Sequence, residues 1–202
     1  MILATVRTCP RRWNEYQNLR KQFSALGFPF PLRTIQCPEH LDSPRANSIL
    51  TARAALSYCD SHLAVNDDAW MLFLEDDVRV GLDLPRLLPE LTRLGHEHGV
   101  DCWYLCNRKN RVKARWNWQD MTINELEYPI DGSHGLLLPK RHLRRILDWH
   151  WARRVDWCIF DAIRHSSVKV WQVIAPVLVE HIGEYSTFDH ANRKRPEVCY
   201  GN

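Results

Sequence analysis

Trp70-Met-Leu-Phe-Leu-Glu75-Asp76-Asp77-Val78 decides how this chain folds. Trp70 to Leu74 is a run of five apolar residues, the length of a fully buried strand, and it ends in three consecutive carboxylates. A strand interior would not keep them. In an open α/β sheet the carboxyl end of a buried strand enters the ligand crevice, so a rigid element presents these acids there. Three adjacent like charges repel and must be offset by water, by basic side chains or by a divalent metal, whose preferred ligands include carboxylates. The stretch reads as a metal site for a diphosphate; the competing reading is a solvated acidic turn.

The residues before it fall into two strand-helix units. Ile2 to Arg7 reads as a strand ending at Thr8-Cys9-Pro10, where proline can open a helix. Trp13, Tyr16, Leu19, Phe23 and Leu26 then recur at helical spacing, with Gly27 at the C-cap position. Leu32 to Ile35 begins the second unit, which passes a Pro-rich loop to Ser43-Pro44 and a helix over Ala46 to His62. Strand, helix, strand, helix, strand predicts a parallel sheet with its ligand at the carboxyl ends.

After the acids, Asp83-Leu-Pro85 caps a helix whose Leu84, Leu87, Leu88, Leu91 and Leu94 form an apolar stripe. Cys102 to Cys106 reads as a strand. From Asn107 to Pro129 periodicity is lost: Arg108, Lys109, Arg111, Lys113 and Arg115 interleave with Trp116 and Trp118, predicting a long exposed acceptor-binding loop. Asp131-Gly132-Ser133-His134-Gly135 is a turn into the strand Leu136 to Leu138. Helices follow from Lys140 to Trp151 and from Asp156 to His165, the second with Trp157, Phe160 and Ile163 inward. Val168 to Val173 and Val177 to His181 close the strand set, before a polar, basic tail.

At 202 residues with 45% hydrophobic and 25% charged content, the chain fits one folded domain and is not disordered. Its formal charge of +3 does not by itself imply nucleic acid. The nine tryptophans suggest flat surfaces for stacking sugars or bases, or large core fillers. Met1 to Arg7 lacks a charged leader, and no apolar run approaches the ~20 residues of a membrane span, so the expectation is a cytoplasmic protein. Seven cysteines in no framework spacing fit reduced thiols. His96, His98, Cys102 and Cys106 are spaced for zinc, against which Cys102 and Cys106 share one strand face, where free cysteine is commonly buried.

This order of parts resembles the nucleotide-sugar-dependent glycosyltransferases of the GT-A fold, most nearly the lipopolysaccharide-type transferases of glycosyltransferase family 25. Four places carry the resemblance: the first strand with Arg7; Leu72-Phe-Leu-Glu75-Asp76-Asp77-Val78, similar to the family's Leu-Glu-Asp-Asp-Val; Gly132-Ser-His-Gly-Leu-Leu-Leu138, similar to the strand that closes the sugar pocket; and Ala175-Pro-Val-Leu-Val-Glu-His181-Ile-Gly183-Glu-Tyr-Ser186, similar to a segment whose histidine completes the metal site. Before the acidic strand the family's Gly-Cys-x-x-Ser-His is replaced by Asn47-Ser-Ile-Leu-Thr-Ala-Arg53, which leaves the nucleotide and donor open. The resemblance implies an α/β, GT-A (Rossmann-like) fold: a mostly parallel sheet flanked by helices, in one domain over 1–202 with a small acceptor lobe. Residues 1–107 form its nucleotide-sugar half and 108–202 its acceptor half.

It further implies Mn²⁺ or Mg²⁺ on Asp77 and His181, with a UDP-sugar as donor. Glu75 would face the ribose, and Asp76 would orient the sugar or share the metal shell. Thr5, Arg7, Arg11 and Asn47 are candidates for the nucleotide, Ser133 and His134 for the sugar pocket, and Lys194 or Arg195 for closing over the diphosphate. An inverting reaction needs a carboxylate base for the acceptor hydroxyl. Asp156, after one helix and at the start of another, is the first choice, with an N-cap as its structural alternative, and Asp161 is the second. The acceptor is a glycan such as lipopolysaccharide or, through the basic-aromatic segment 108–118, hydroxymethylated bases of phage DNA. Two other classes stay open: a metal-dependent nuclease or phosphohydrolase using the same acids, and a non-catalytic nucleic-acid-binding module.

Overall fold

The computed structural model describes residues 1–8, 12–36, 44–63, 69–130, 132–151, 155–164 and 169–182. The elements in chain order are β1 (Ile2–Thr8), α1 (Trp13–Ala25), β2 (Leu32–Gln36), α2 (Pro44–His62), β3 (Trp70–Glu75), β4 (Val78–Val80), α3 (Leu84–Glu97) and β5 (Cys102–Tyr104). They continue with β6 (Arg111–Trp118), β7 (Met121–Glu127), β8 (Gly135–Pro139), α4 (Lys140–Asp148), α5 (Val155–Arg164), β9 (Val170–Ala175) and β10 (Val179–His181). Eight strands form one sheet in the order β2-β1-β3-β8-β5-β9-β7-β6. Reversed pairings set β8 and β7 against the direction of the other six. By strand direction the sheet is mostly parallel, as expected, although four of its seven neighbouring pairs are antiparallel, and it draws strands from both halves of the chain.

The apolar run is the buried central strand β3, with every residue covered. Its register with β1 places Thr5 beside Phe73 and Arg7 beside Glu75, on one face of the sheet, and Ala4 and Val6 beside Leu72 and Leu74 on the other. Helix α2 covers the Thr5 and Arg7 face, since Ser48 meets Arg7, and it packs in turn on α4 and α5. Helices α1 and α3 cover the opposite face. Tyr16 of α1 accepts a hydrogen bond from Thr34, which stands level with Val6, and Gly95 of α3 lies directly over the Trp70 and Trp103 rings. A Cβ on Gly95 would come within 2.5 Å of Trp70, so the helix approaches the sheet there only because the side chain is absent.

Three sequence expectations need correcting. The stretch after Asn107 is a hairpin, β6 paired antiparallel with β7, through the two-residue turn Gln119-Asp120 with Gln119 at φ +52°. Its inner face carries Trp116, which meets Trp171 edge to face, and Trp118, whose Nε1 donates to Glu90 at 3.0 Å. Those indoles are packing groups, whereas Arg111, Lys113 and Arg115 are exposed, with Lys113 paired to Glu125 and Arg115 donating to Asn124. Second, Trp157 is 36% exposed while Cys158, Ile159 and Ala162 face inward with Phe160 and Ile163. The buried stripe of α5 is therefore turned by about one position from the sequence expectation. Third, β4 directly follows the acids and pairs with β10 in a small separate sheet that the sequence did not suggest.

Among the described residues no helix is long and apolar enough to cross a membrane. No three His, Cys, Asp or Glu side chains among them form a metal cage, so the zinc reading of His96, His98, Cys102 and Cys106 fails. Cys102 and Cys106 are buried in the core, and burial holds the Cys102 thiol well above its ordinary range.

Candidate active site

The acids sit where the sequence placed them, at the carboxyl end of β3 beside the carboxyl end of β1. They are nonetheless buried: Glu75, Asp76 and Asp77 are 8%, 5% and 3% exposed. That rules out a freely solvated acidic turn and requires charge compensation. Each carboxylate finds it differently.

Glu75 faces the α2 side. Arg7 Nη2 lies 2.7 Å from Glu75 Oε1, the Ser133 hydroxyl donates to the same oxygen, and Arg7 Nη1 donates to Ser48. Burial is the largest influence and raises the Glu75 carboxyl, but Arg7, His134 and the Ser133 hydrogen bond together outweigh it and the net shift is downward. Burial likewise disfavours the charged form of Arg7, and Glu75 more than restores it. The pair is a brace between β1, β3, α2 and the segment before β8.

Asp76 and Asp77 share one guanidinium, that of Arg12 at the N-cap of α1. Its Nη1 lies 3.2 Å from Asp76 Oδ1 and closer still to Asp77 Oδ2. The nearer carboxylate gains most. Burial pushes Asp77 up, but the hydrogen bond from His181 and the charge of Arg12 outweigh it and hold Asp77 well below the usual carboxylate range. At Asp76 burial prevails, with the neighbouring Asp77 adding to it, and the carboxyl is pushed up to about 6.

His181 comes from 104 residues further along the chain, and its Nε2 lies 3.0 Å from Asp77 Oδ2. The small sheet explains the meeting. His181 stands opposite Val78 in the β4–β10 pair, and the backbone N–H of Ile182 donates to Asp77 O at 2.9 Å. Gly81 permits the close crossing, since a Cβ there would lie 2.1 Å from Val177 O. His134, at the head of β8, completes the cluster: its ring centroid is 4.0 Å from that of His181. Burial lowers its pKa and favours the neutral ring.

Among the described residues, three buried polar atoms of this cluster have no hydrogen-bond partner, Asp77 Oδ1, His134 Nδ1 and Arg7 Nε. An orphaned carboxylate oxygen beside an imidazole is a donor set that fits a hard or borderline divalent cation. Asp77 and His181 would be its protein ligands, and the remaining positions would fall to a diphosphate and water.

The other predicted site residues are placed unevenly. Thr5 is fully buried beside Cys59 of α2, deeper than Arg7. Asn47 lies in the first turn of α2, where its carbonyl accepts from Thr51 Oγ1 at 2.7 Å. Asp161 accepts a hydrogen bond from the Tyr128 hydroxyl, and the Arg164 guanidinium lies 4.2 Å over the Tyr128 ring. Asp156 stands in the first turn of α5, its side chain outside the described residues. Arg11, Lys194 and Arg195 also fall outside them. Sequence reasoning missed Arg12 and Ser48. Arg12 was within reach, since it adjoins Arg11 and α1 begins one residue later, whereas nothing in the sequence marks Ser48.

No protein-family model matches the chain, and no curated protein matches it. Among solved structures it is similar to a Drosophila β-1,4-galactosyltransferase 7 mutant in complex with manganese, UDP-Gal and xylobiose, with 11% identity and a TM-score of 0.52 over 90% of this chain and 71% of that one. It is also similar to a glycosyltransferase involved in the glycosylation of the major capsid of PBCV-1, with 10% identity and a TM-score of 0.56 over 92% of this chain and 94% of that one. At these identities the likeness is one of fold, and the fold is the GT-A arrangement.

Proposed function

We propose that this chain is a metal-dependent glycosyltransferase that moves a sugar from a nucleoside-diphosphate sugar, a UDP-hexose, to a hydroxyl of a glycan acceptor. The observation that carries the reading is the 3.0 Å approach of His181 Nε2 to Asp77 Oδ2. It joins two motifs that are distant in sequence, at the sheet edge where α/β folds take their ligands. The GT-A fold supports it, as does the galactosyltransferase of similar fold whose crystal structure is a complex with manganese, UDP-Gal and xylobiose. The motif likeness to family 25 belongs to the same proposal.

A bound divalent cation would stabilise the negative charge that develops on the departing diphosphate. Asp77 and His181 would hold that cation from the protein side. Arg7, fixed by Glu75 and Ser48, lines the nucleotide side with Asn47, while Ser133 and the neutral His134 line the sugar side. Asp156 serves as the base that takes the acceptor proton if configuration is inverted, with Asp161 second because Tyr128 already engages it.

A glycan is favoured over DNA as acceptor because Trp116 and Trp118, the rings proposed to stack bases, pack against Trp171 and α3. Thermal unfolding with a panel of UDP-, GDP- and CMP-sugars, with and without Mn²⁺, tests the reading. It predicts a Mn²⁺-dependent rise in Tm with a UDP-sugar; no rise with any donor would remove the transferase reading.

A further inference from the structure

We propose that Arg12 is a resident counter-cation of the acidic cluster, which competes with a divalent cation for Asp77 and leaves it for the diphosphate of the donor. The inference rests on the function proposed above and adds to it an order of events. Asp77 Oδ2 is the oxygen that faces His181, and the same oxygen carries the Arg12 guanidinium. The contact is sheltered, with the Arg12 side chain 15% exposed and that of Asp77 4%. Any cation accepted by the Asp77 and His181 pair therefore meets a fixed positive charge on its own ligand carboxylate, in surroundings where water screens poorly.

The guanidinium has another partner available once a donor is bound. Its planar fork of N–H donors matches phosphate oxygens as well as carboxylate oxygens, and a diphosphate brings negative charge to the same crevice. Exchange of Asp76 and Asp77 for phosphate oxygens frees the carboxylates as the counter-charge arrives. Arg7 is less suited to this exchange, because Glu75 and Ser48 already hold it on the α2 side. The consequence is positive coupling: cation alone binds weakly, and cation with nucleotide binds tightly, each raising the affinity of the other. Arg12 is a positioning residue in this scheme, acting through Asp77.

Mn²⁺ titration followed by electron paramagnetic resonance of the free ion, without nucleotide, tests it on wild type, Arg12→Gln and Arg12→Met. Both variants should bind Mn²⁺ at least about tenfold tighter than wild type, and Arg12→Lys, which keeps the charge, within about threefold of it. The two neutral variants serve as alternates should one fail to fold. Equal or weaker Mn²⁺ binding by the neutral variants overturns the role of Arg12 while leaving the metal site standing. Absence of Mn²⁺ binding in every protein, with UDP present or absent, overturns the metal-dependent reading and this inference with it.

Discussion

Replacing Asp76 by Asn should stabilise the metal-free protein near neutral pH. Asp76 is 5% exposed, adjoins Asp77 and shares Arg12 with it, and its carboxyl is pushed from an ordinary 3.8 up to about 6. The folded state thus holds this proton more tightly than the unfolded chain. The contribution of the group to stability is therefore most favourable at low pH, erodes as pH rises from 3.8, and is lost above about 6. That displacement corresponds to about 3 kcal/mol as an upper figure above pH 6, and to about 2 kcal/mol between pH 4 and pH 7. Asn removes the titration and keeps an acceptor oxygen for Arg12. Urea unfolding in EDTA at several pH values should show the variant more stable than wild type by about 2–3 kcal/mol at pH 7, with the difference nearly gone at pH 4. With Mn²⁺ and UDP present the advantage of the variant should shrink. An advantage that does not vary with pH, or a variant less stable than wild type at pH 7, would refute the reasoning.

Other perturbations have equally definite outcomes. Asp77→Asn and His181→Ala should each weaken Mn²⁺ binding in the presence of UDP by at least about tenfold while far-UV circular dichroism stays native, since both are the proposed ligands and neither belongs to the apolar core. Glu75→Ala leaves Arg7 as an uncompensated buried charge and should lower unfolding free energy by about 3–5 kcal/mol in chemical denaturation. Gly132→Ala puts a side chain on a residue at φ +93°, with its Cβ 2.7 Å from the Tyr104 hydroxyl. It should reduce stability by about 1–3 kcal/mol in the same assay. Single-stranded DNA should leave tryptophan fluorescence unchanged at low salt; quenching that salt reverses would return the hairpin to consideration as a nucleic-acid surface.

The parts of the fold legible in the sequence are those with an unbroken pattern. Strand β3 announces itself by five apolar residues ending in acids, and α3 by leucines at helical spacing with a proline at its start. The convergence of Asp77 and His181 was legible only through the resemblance of two motifs, because the device that produces it is a three-residue strand pair too short to leave a period. The hairpin was hidden for a different reason. Along β6 the first five residues are all exposed and a register shift falls between Val112 and Ala114, so hydrophobic alternation is weak until Trp116 and Trp118, and Gln119-Asp120 is not a strong hairpin dipeptide. Burial of the acids was not legible at all. It depends on Arg7 and Arg12 arriving from the ends of β1 and α1, and a sequence shows charges without showing which of them share a space.

Crystals grown with Mn²⁺ and UDP, with data collected near the manganese absorption edge, test the central claim most directly. The account predicts one anomalous peak between the Asp77 carboxylate and the His181 imidazole, with the UDP diphosphate against it. A peak elsewhere on the protein, or UDP bound with His181 Nε2 still hydrogen-bonded to Asp77 and no metal between them, would contradict it.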